Sequence, residues 1–321
     1  MMRVALITGA CGFSGRHVAK RLAGEGGYRI IGMDLPDSPF GEILLDDYFQ
    51  ADLRDPARTA NVLAQVRPDV VFHLAGVLRS TASELYAANV LGTIHLFEAI
   101  RQSVPEARVL VVGSAAEYGV PVNPQEALTE DTPCHPVGAY AQSKYAVTLA
   151  TYDYVRRFRL RIVLARPFNL VGAGMPATLL IGAVIRRIKE ASAHNGVVYV
   201  GNLESKRDFV AVDDAVDAYI RLVNGEWWGE VFNICSGRPR SIESVVHWLV
   251  TRSPYPLRLD VDPQLMRDND PPCIYGSFTK ANRAFGFRPK VSLEVSLQAA
   301  WDYERAPSDT VHTARCETFL A

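Results

Sequence analysis

Tyr140 and Lys144 stand four residues apart in a stretch, 140–157, whose apolar spacing predicts a helix, so the two side chains share one face. A free phenol titrates near pH ~10, too high for a base at neutral pH. A nearby ammonium and a nicotinamide cation favour the phenolate and lower that value. Tyr140 would then take a proton from a substrate hydroxyl while hydride leaves the same carbon for nicotinamide, and return it in the reverse step. Ser114 follows the apolar run 109–112, expected as a strand, and its hydroxyl would hold the reacting oxygen beside Tyr140. A Tyr-x-x-x-Lys pair alone is equally two surface residues on a helix. The Gly-rich opening of the chain and the order Ser, Tyr, Lys select the catalytic reading.

That chemistry needs a dinucleotide, and the N-terminus offers a place for one. The apolar run 4–7 leads into Thr8-Gly9-Ala10-Cys11-Gly12-Phe13-Ser14-Gly15 and then a helical pattern. Glycines at 9, 12 and 15 permit a tight turn and let a pyrophosphate reach backbone N–H groups at a helix N-terminus. Gly9, Cys11, Gly12, Phe13, Ser14 and Gly15 are therefore candidate cofactor contacts. Asp34 ends the second strand, nineteen positions after Gly15. An acid there bonds the adenosine ribose hydroxyls and repels a 2′-phosphate, which favours NAD over NADP. A turn-capping role in Leu35-Pro36-Asp37 is the alternative. Asp52 and Leu53, after the third strand, are expected near the adenine. Leu74, Ala75 and Gly76, at the end of the fourth, are expected along the pyrophosphate.

The elements that must position these groups follow from hydrophobic rhythm. Residues 4–7, 30–33, 70–74, 109–112 and 162–165 are strand-like, and 15–23, 56–66, 85–101 and 140–157 have helical periodicity. Apolar strands alternating with helices imply an α/β fold, a Rossmann-type doubly wound parallel sheet covered on both faces. After residue 168 the rhythm changes. Helices are expected at 178–191, from about 212, at 242–251 and at 293–303, with a strand at 197–200 and Asp213 capping the helix near 212 or in its first turn. The division expected is a NAD-binding domain over 1–168, rejoined by about 212–234, and a smaller C-terminal substrate lobe over 169–321. The tail from about 306 is polar and aperiodic and is expected to be disordered.

Composition limits the partners. Of 321 residues 48% are hydrophobic, enough for a large core, and 34 Lys+Arg balance 35 Asp+Glu. No overall field draws the chain to nucleic acid or to an anionic membrane. The opening segment reads as a buried strand, not a signal peptide, and no apolar run is long enough to span a bilayer. Five cysteines without Cys-x-x-Cys spacing, and seven histidines without matching ligand spacing, suggest reduced thiols in a cytoplasmic protein and no metal site.

Together these residues resemble the extended short-chain dehydrogenase/reductase family, in the branch acting on nucleotide sugars, over about residues 3–303. The resemblance implies Ser114, Tyr140 and Lys144 as the catalytic set and Asn89, in Asn-Val-Leu-Gly-Thr, as a structural residue of the active site. It places Arg166-Pro167-Phe168-Asn169 beside nicotinamide and substrate phosphate, with Asn169 alternatively a turn residue. Arg207 and Arg267 match diphosphate-binding arginines, guanidinium forks being suited to phosphate, although each could instead serve a structural ion pair. Residues 77–81, with Arg79, and 178–187 are candidate walls of the sugar pocket. Short motifs at 166–174, 200–208 and 276–280 look most like GDP-mannose-type dehydratases and GDP-4-keto-6-deoxymannose reductases.

One departure bears on the reaction. In 4,6-dehydratases an acid–base pair follows the catalytic Ser or Thr, whereas here Ser114 precedes Ala115-Ala116. Alanine can supply neither the base nor the acid that water elimination needs. Glu117 comes one position too late and would point away if the strand continued. Ala139 where Pro is usual and Gly76 where Ala is usual are tolerable. The expected activity is an NAD-dependent C4-epimerase acting through a 4-keto intermediate. A GDP-4-keto-6-deoxyhexose reductase is the alternative, and a non-catalytic dinucleotide sensor is a third reading. The resemblance also implies a homodimer through the two long helices, and a nucleotide-diphosphate sugar, GDP-linked for preference, as ligand.

Overall fold

The computed structural model describes residues 2–35, 44–193, 196–266 and 270–303. Strand β1 (Arg3–Thr8) leads through the glycine turn to α1 (Phe13–Glu25), followed by β2 (Tyr28–Asp34), β3 (Asp47–Gln50), α2 (Pro56–Val66) and β4 (Val70–His73). The run 85–101, expected as one helix, is in three pieces: α3 (Ala82–Leu85), a π-helical turn (Tyr86–Leu91) and α4 (Gly92–Ser103). Then come β5 (Arg108–Val112), a 3₁₀ turn (Ala115–Tyr118), α5 (Ala139–Phe158) and β6 (Arg161–Pro167). The rest comprises β7 (Asn169–Val171), α6 (Leu180–Ala193), β8 (Val197–Val200), β9 (Lys206–Ala211), α7 (Val212–Asn224), β10 (Val231–Ile234), β11 (Pro239–Ser241), α8 (Ile242–Val250), β12 (Arg258–Val261), β13 (Cys273–Ile274), α9 (Thr279–Phe285) and α10 (Leu293–Tyr303). Asp213 lies in the first turn of α7, with Ala211 as the cap.

Local sequence sets several of these boundaries. Asp55 caps α2 by accepting from the Arg58 amide, Pro56 fills the first turn where an N–H has no partner, and Arg67 closes it in the left-handed conformation. The strand ending in Val112 stops short of Ser114, which instead caps the 3₁₀ turn.

Seven strands make one sheet in the order β10-β6-β5-β4-β1-β2-β3, and every pairing in it is parallel. The chain reverses direction across the sheet between β1 and β4, so the carboxyl ends of those two strands open a crevice. Alternate residues feed opposite cores. Ala5 and Ile7 of β1 join Phe72, Leu110 and Val163 beneath α1, α7 and α9, while Leu6 joins Val71, Val109 and Ile162 beneath α2, α4 and α5. Each of the larger side chains contributes about 2 kcal/mol by leaving water. This two-sided burial explains why the strands read as unbroken apolar runs.

A smaller sheet of β11, β9 and β13, with β7 also pairing β9, and the parallel pair β8–β12 lie beyond the large sheet. A third core around Val171, Ile185, Val198, Phe209, Val245 and Trp301 packs them against α6, α8 and α10. Residues 36–43, 267–269 and 304–321, which include Arg267 and the tail from about 306, lie outside the described residues. No helix among the described residues is long and apolar enough to cross a membrane.

Candidate active site

The glycine turn meets β4 closely. Gly9 has a positive φ of 71°, and a Cβ there would lie 2.7 Å from the Ala75 amide nitrogen. At Gly15 a Cβ would collide with the Gly9 carbonyl. Only glycine lets the turn fold so tightly against Leu74-Ala75. Helix α1 begins after Gly12 with no side chain capping it, so its first N–H groups are available to an anion. Phe13 of the same turn packs edge-on against His17, and its ring joins the core beneath α1 and α7 and the third core. Ser14 and Gly15 form the first turn of α1.

Asp34 sits at the mouth of this turn, where its carboxylate accepts the Cys11 amide at 2.8 Å and the Leu35 amide at 2.9 Å. The Cys11 thiol is raised above its usual pKa, mainly by burial, and lies 3.6 Å from the Tyr48 hydroxyl. Asp52, expected at the adenine, is gripped by Arg54 through bonds of 2.6 to 3.0 Å, which hold its carboxyl below the usual range. Leu53 is buried behind it.

Helix α5 starts at Ala139 and carries Tyr140, Ser143, Lys144 and Thr148 toward the sheet. Ser114 stands near enough to the Tyr140 hydroxyl to draw its pKa down. Ser114 Oγ also accepts the Ala116 amide at 3.1 Å, and the Ser114 amide donates to Glu117 Oε1 at 2.8 Å. Lys144 is buried, and its Nζ donates to the Val112 carbonyl at 2.8 Å. Burial lowers the Lys144 pKa to about 8, and the Glu117 charge partly opposes that. Gly76 faces the same space, since a Cβ there would lie 3.4 Å from Asn89 Oδ1 and 3.5 Å from Lys144 Nζ. That is ordinary contact, so an alanine would fit.

The depression of the Tyr140 pKa expected from Lys144 and a nicotinamide cation is not supplied by the chain alone: burial raises that pKa, Ser114 lowers it and Glu117 raises it. The ammonium is turned to the Val112 carbonyl, and the chain by itself keeps the phenol protonated.

Asn89 lies in the π-helical turn and is buried. Its Oδ1 accepts the Val77 amide at 2.7 Å, while Nδ2 donates to the Val77 carbonyl and to Ser143 Oγ, both at 3.0 Å. The π turn is what aims Asn89 between the post-β4 loop and α5. Behind it His73 bridges Thr8 Oγ1 at 2.7 Å and Thr93 Oγ1 at 2.8 Å. Thr93 donates onward to the Asn89 carbonyl, so it accepts from His73 Nε2. Burial first, then the Lys144 charge, lower the His73 pKa to about 3.

On the other side, Pro167 ends β6 opposite Ile234, and Asn169 Nδ2 donates to the Asp208 carbonyl at 2.8 Å. The Arg207 guanidinium is held by Asp270 at 2.5 Å and by the Pro271 carbonyl at 2.8 Å, which orients it. Arg79 is exposed on the loop after β4. Among the described residues no group of three or more His, Cys, Asp or Glu side chains could hold a metal.

Residues 5–235 match the NAD dependent epimerase/dehydratase family. The chain belongs to that family. The family's enzymes act on nucleotide sugars with NAD(P), and the curated relatives include both reductases and epimerases. The GDP-6-deoxy-D-mannose reductase of Pseudomonas aeruginosa is 28% identical over 93% of this chain and 96% of its own length. The UDP-glucose 4-epimerase of Mycolicibacterium smegmatis is also 28% identical, over 94% of this chain and 99% of its own. The RMD structure from Pseudomonas aeruginosa in complex with NADPH matches with a TM-score of 0.82 and 26% identity, covering 95% of this chain and 100% of that one.

The main residue that motif reading misjudged is Glu117. Because β5 ends at Val112 and a 3₁₀ turn follows, its side chain curls inward and is wholly buried. The signal was present as Ser114-x-x-Glu117, the spacing of a capping box. His73, Thr8 and Thr93 carry no motif spacing that would have marked them.

Proposed function

We propose that this chain reduces the C4 ketone of a nucleotide-diphosphate 4-keto-6-deoxyhexose, GDP-linked for preference, to a C4 hydroxyl. The observation that carries the reading is the Ser114–Tyr140 pair with Lys144 one turn on and, among the described residues, no free carboxylate beside it. Ser114 orients the C4 oxygen. Tyr140, kept protonated by its burial, gives its proton to that oxygen as charge develops there. Lys144 steadies the negative charge left on the phenol. When bound, the dinucleotide supplies the hydride to C4. The tight glycine turn and the uncapped start of α1 fit its pyrophosphate, and Asp34 fits an unphosphorylated ribose, so NADH is the favoured donor. Pro167 and Asn89 border the nicotinamide side, and Arg79, Asn169, Arg207 and Arg267 are assigned to the nucleotide-diphosphate sugar.

Dehydration is disfavoured, because Ala115 and Ala116 carry no acid or base and Glu117 is locked to Arg166 at 2.8 Å. The similarity to a GDP-6-deoxy-D-mannose reductase across almost the whole chain supports the direction and the nucleotide. A second reading, C4-epimerisation with NAD retained through each cycle, is supported by Asp34 and by the UDP-glucose 4-epimerase, which is also 28% identical. The deciding experiment supplies GDP-4-keto-6-deoxymannose with NADH or NADPH and follows loss of the reduced-nicotinamide absorbance. Turnover with NADH that disappears in Tyr140→Phe supports the reductase. Interconversion of C4-epimeric nucleotide sugars without net cofactor consumption, and NAD released on denaturation, would replace it with the epimerase.

A homodimer through the π turn, α4 and α5 is part of this proposal. Leu91 and Leu149 on these helices are each 50% exposed, and Tyr86 and Tyr152 lie exposed beside them. Covering such a row is a reason for helices to pair. Sedimentation of the wild type against Leu149→Glu tests it, a monomer being expected only for the variant.

A further inference from the structure

We propose that Glu117 is the positioning residue of this site, a buried carboxylate that fixes Ser114, Tyr140 and Lys144 relative to one another. The proposal rests on the C4 reading above. One carboxylate joins three elements. Oε1 accepts the Ser114 amide at 2.8 Å, which sets the turn that points the Ser114 hydroxyl toward Tyr140. Oε2 accepts the Thr148 hydroxyl at 2.8 Å, one turn beyond Lys144 on α5. The same oxygen receives Arg166 Nη2 at 2.8 Å and Nε at 3.1 Å, from the end of β6. Glu117 is 0% exposed and Arg166 3%.

Oε2 carries three donors and Oε1 one, and with the side chain wholly buried neither oxygen is open to substrate, so Glu117 acts through its neighbours. Its carboxylate presses so closely on Gly113 that a Cβ there would push Oε1 off its bond to the Ser114 amide, which accounts for the glycine before Ser114. The Arg166 guanidinium is fixed in turn, 4.7 Å from the centre of the Tyr118 ring, and Tyr118 donates to Asn233 Oδ1 at 2.8 Å. The pair therefore ties the Ser114 turn, α5, β6 and β10 into one unit. Its charge also reaches Lys144. Of the groups acting on that ammonium, Glu117 is the anion that favours the protonated form, while the neutral His73 carries no charge of its own.

The test compares Glu117→Gln, the double variant Glu117→Gln/Arg166→Met and Thr148→Val with the wild type. The single Gln variant keeps the shape but strands a buried guanidinium, and the double variant removes that penalty. The expected result in both is KM for cofactor and sugar within about twofold of wild type and kcat reduced at least about tenfold, as for a misplaced catalytic group. The alkaline limb of the kcat profile moves to lower pH, because Lys144 loses the charge that favours its ammonium. Thr148→Val removes one hydrogen bond and no charge, and decides the matter if neither Glu117 variant folds. It is expected to lower kcat a few-fold, roughly the effect of one buried hydrogen bond, with KM unchanged. Wild-type kcat and pH profile in the double variant would mean that Glu117 only neutralises Arg166. A loss equal at every pH, or confined to KM, would also overturn the proposal, as would unchanged kcat in Thr148→Val. Tyr140→Phe in parallel separates the two readings: if it retains turnover, the C4 chemistry fails first, whatever the Glu117 variants do.

Discussion

Lys144→Met should destroy activity and yet stabilise the protein at neutral pH. Burial lowers the Lys144 pKa from 10.5 to about 8. At ~1.4 kcal/mol per pH unit, that depression corresponds to a cost of about 3 kcal/mol for keeping the ammonium in the folded state. The sign follows from proton counts. Below about pH 8 both states are protonated, and the cost is constant and fully present. Between about 8 and 10.5 the unfolded chain holds a proton that the native state has released, so wild-type stability rises with pH. Above that window the cost is gone. Methionine keeps the stem but leaves the Val112 carbonyl without its donor, which costs about 1 kcal/mol. The variant should therefore be more stable by ~2 kcal/mol at pH 7, and the advantage should shrink and reverse across the window. Urea unfolding of both proteins at a series of pH values measures it, and the difference cancels the other titrating groups. A variant less stable than wild type at pH 7, or a gap that ignores pH, would show that Lys144 is not held as an unfavourably buried ammonium.

Three further outcomes are expected. Gly15→Ala drives a methyl into the Gly9 carbonyl and should abolish dinucleotide binding, read by fluorescence titration; wild-type affinity would contradict the assigned turn. Asp34→Asn should move the NADP-to-NAD ratio of kcat/KM upward by roughly tenfold, and an unchanged ratio would return Asp34 to a loop-capping role through its bonds to Cys11 and Leu35. Asp208→Ala should lower stability by about 3 kcal/mol or more, since the amides of Ser236, Gly237 and Gly276 all lose their acceptor, and a midpoint shift under half of that would refute the accounting.

Much of this protein was legible from residue order. The parallel sheet showed in unbroken apolar runs, because strands buried on both faces need no polar side. Helix α2 was legible to the residue, at 56–66, from its periodicity, and the Asp55 cap and Pro56 that start it act locally. The glycine turn, Asp34 and the Tyr140–Lys144 spacing are likewise short-range patterns. What tertiary structure decided is everything set by contacts between distant segments. The π turn that aims Asn89 has the same apolar spacing as the helix expected there. Arg54 on Asp52 and Asp270 on Arg207 were not marked by periodicity. Glu117 depended on where β5 stopped: a strand continued to that position would have turned it outward, while the 3₁₀ turn brings it onto Thr148 and Arg166, side chains 31 and 49 positions away. The Tyr140 pKa reverses for the same reason. Spacing put Lys144 on its face of the helix, but only the folded sheet supplies the Val112 carbonyl that draws the ammonium aside and the burial that keeps the phenol protonated.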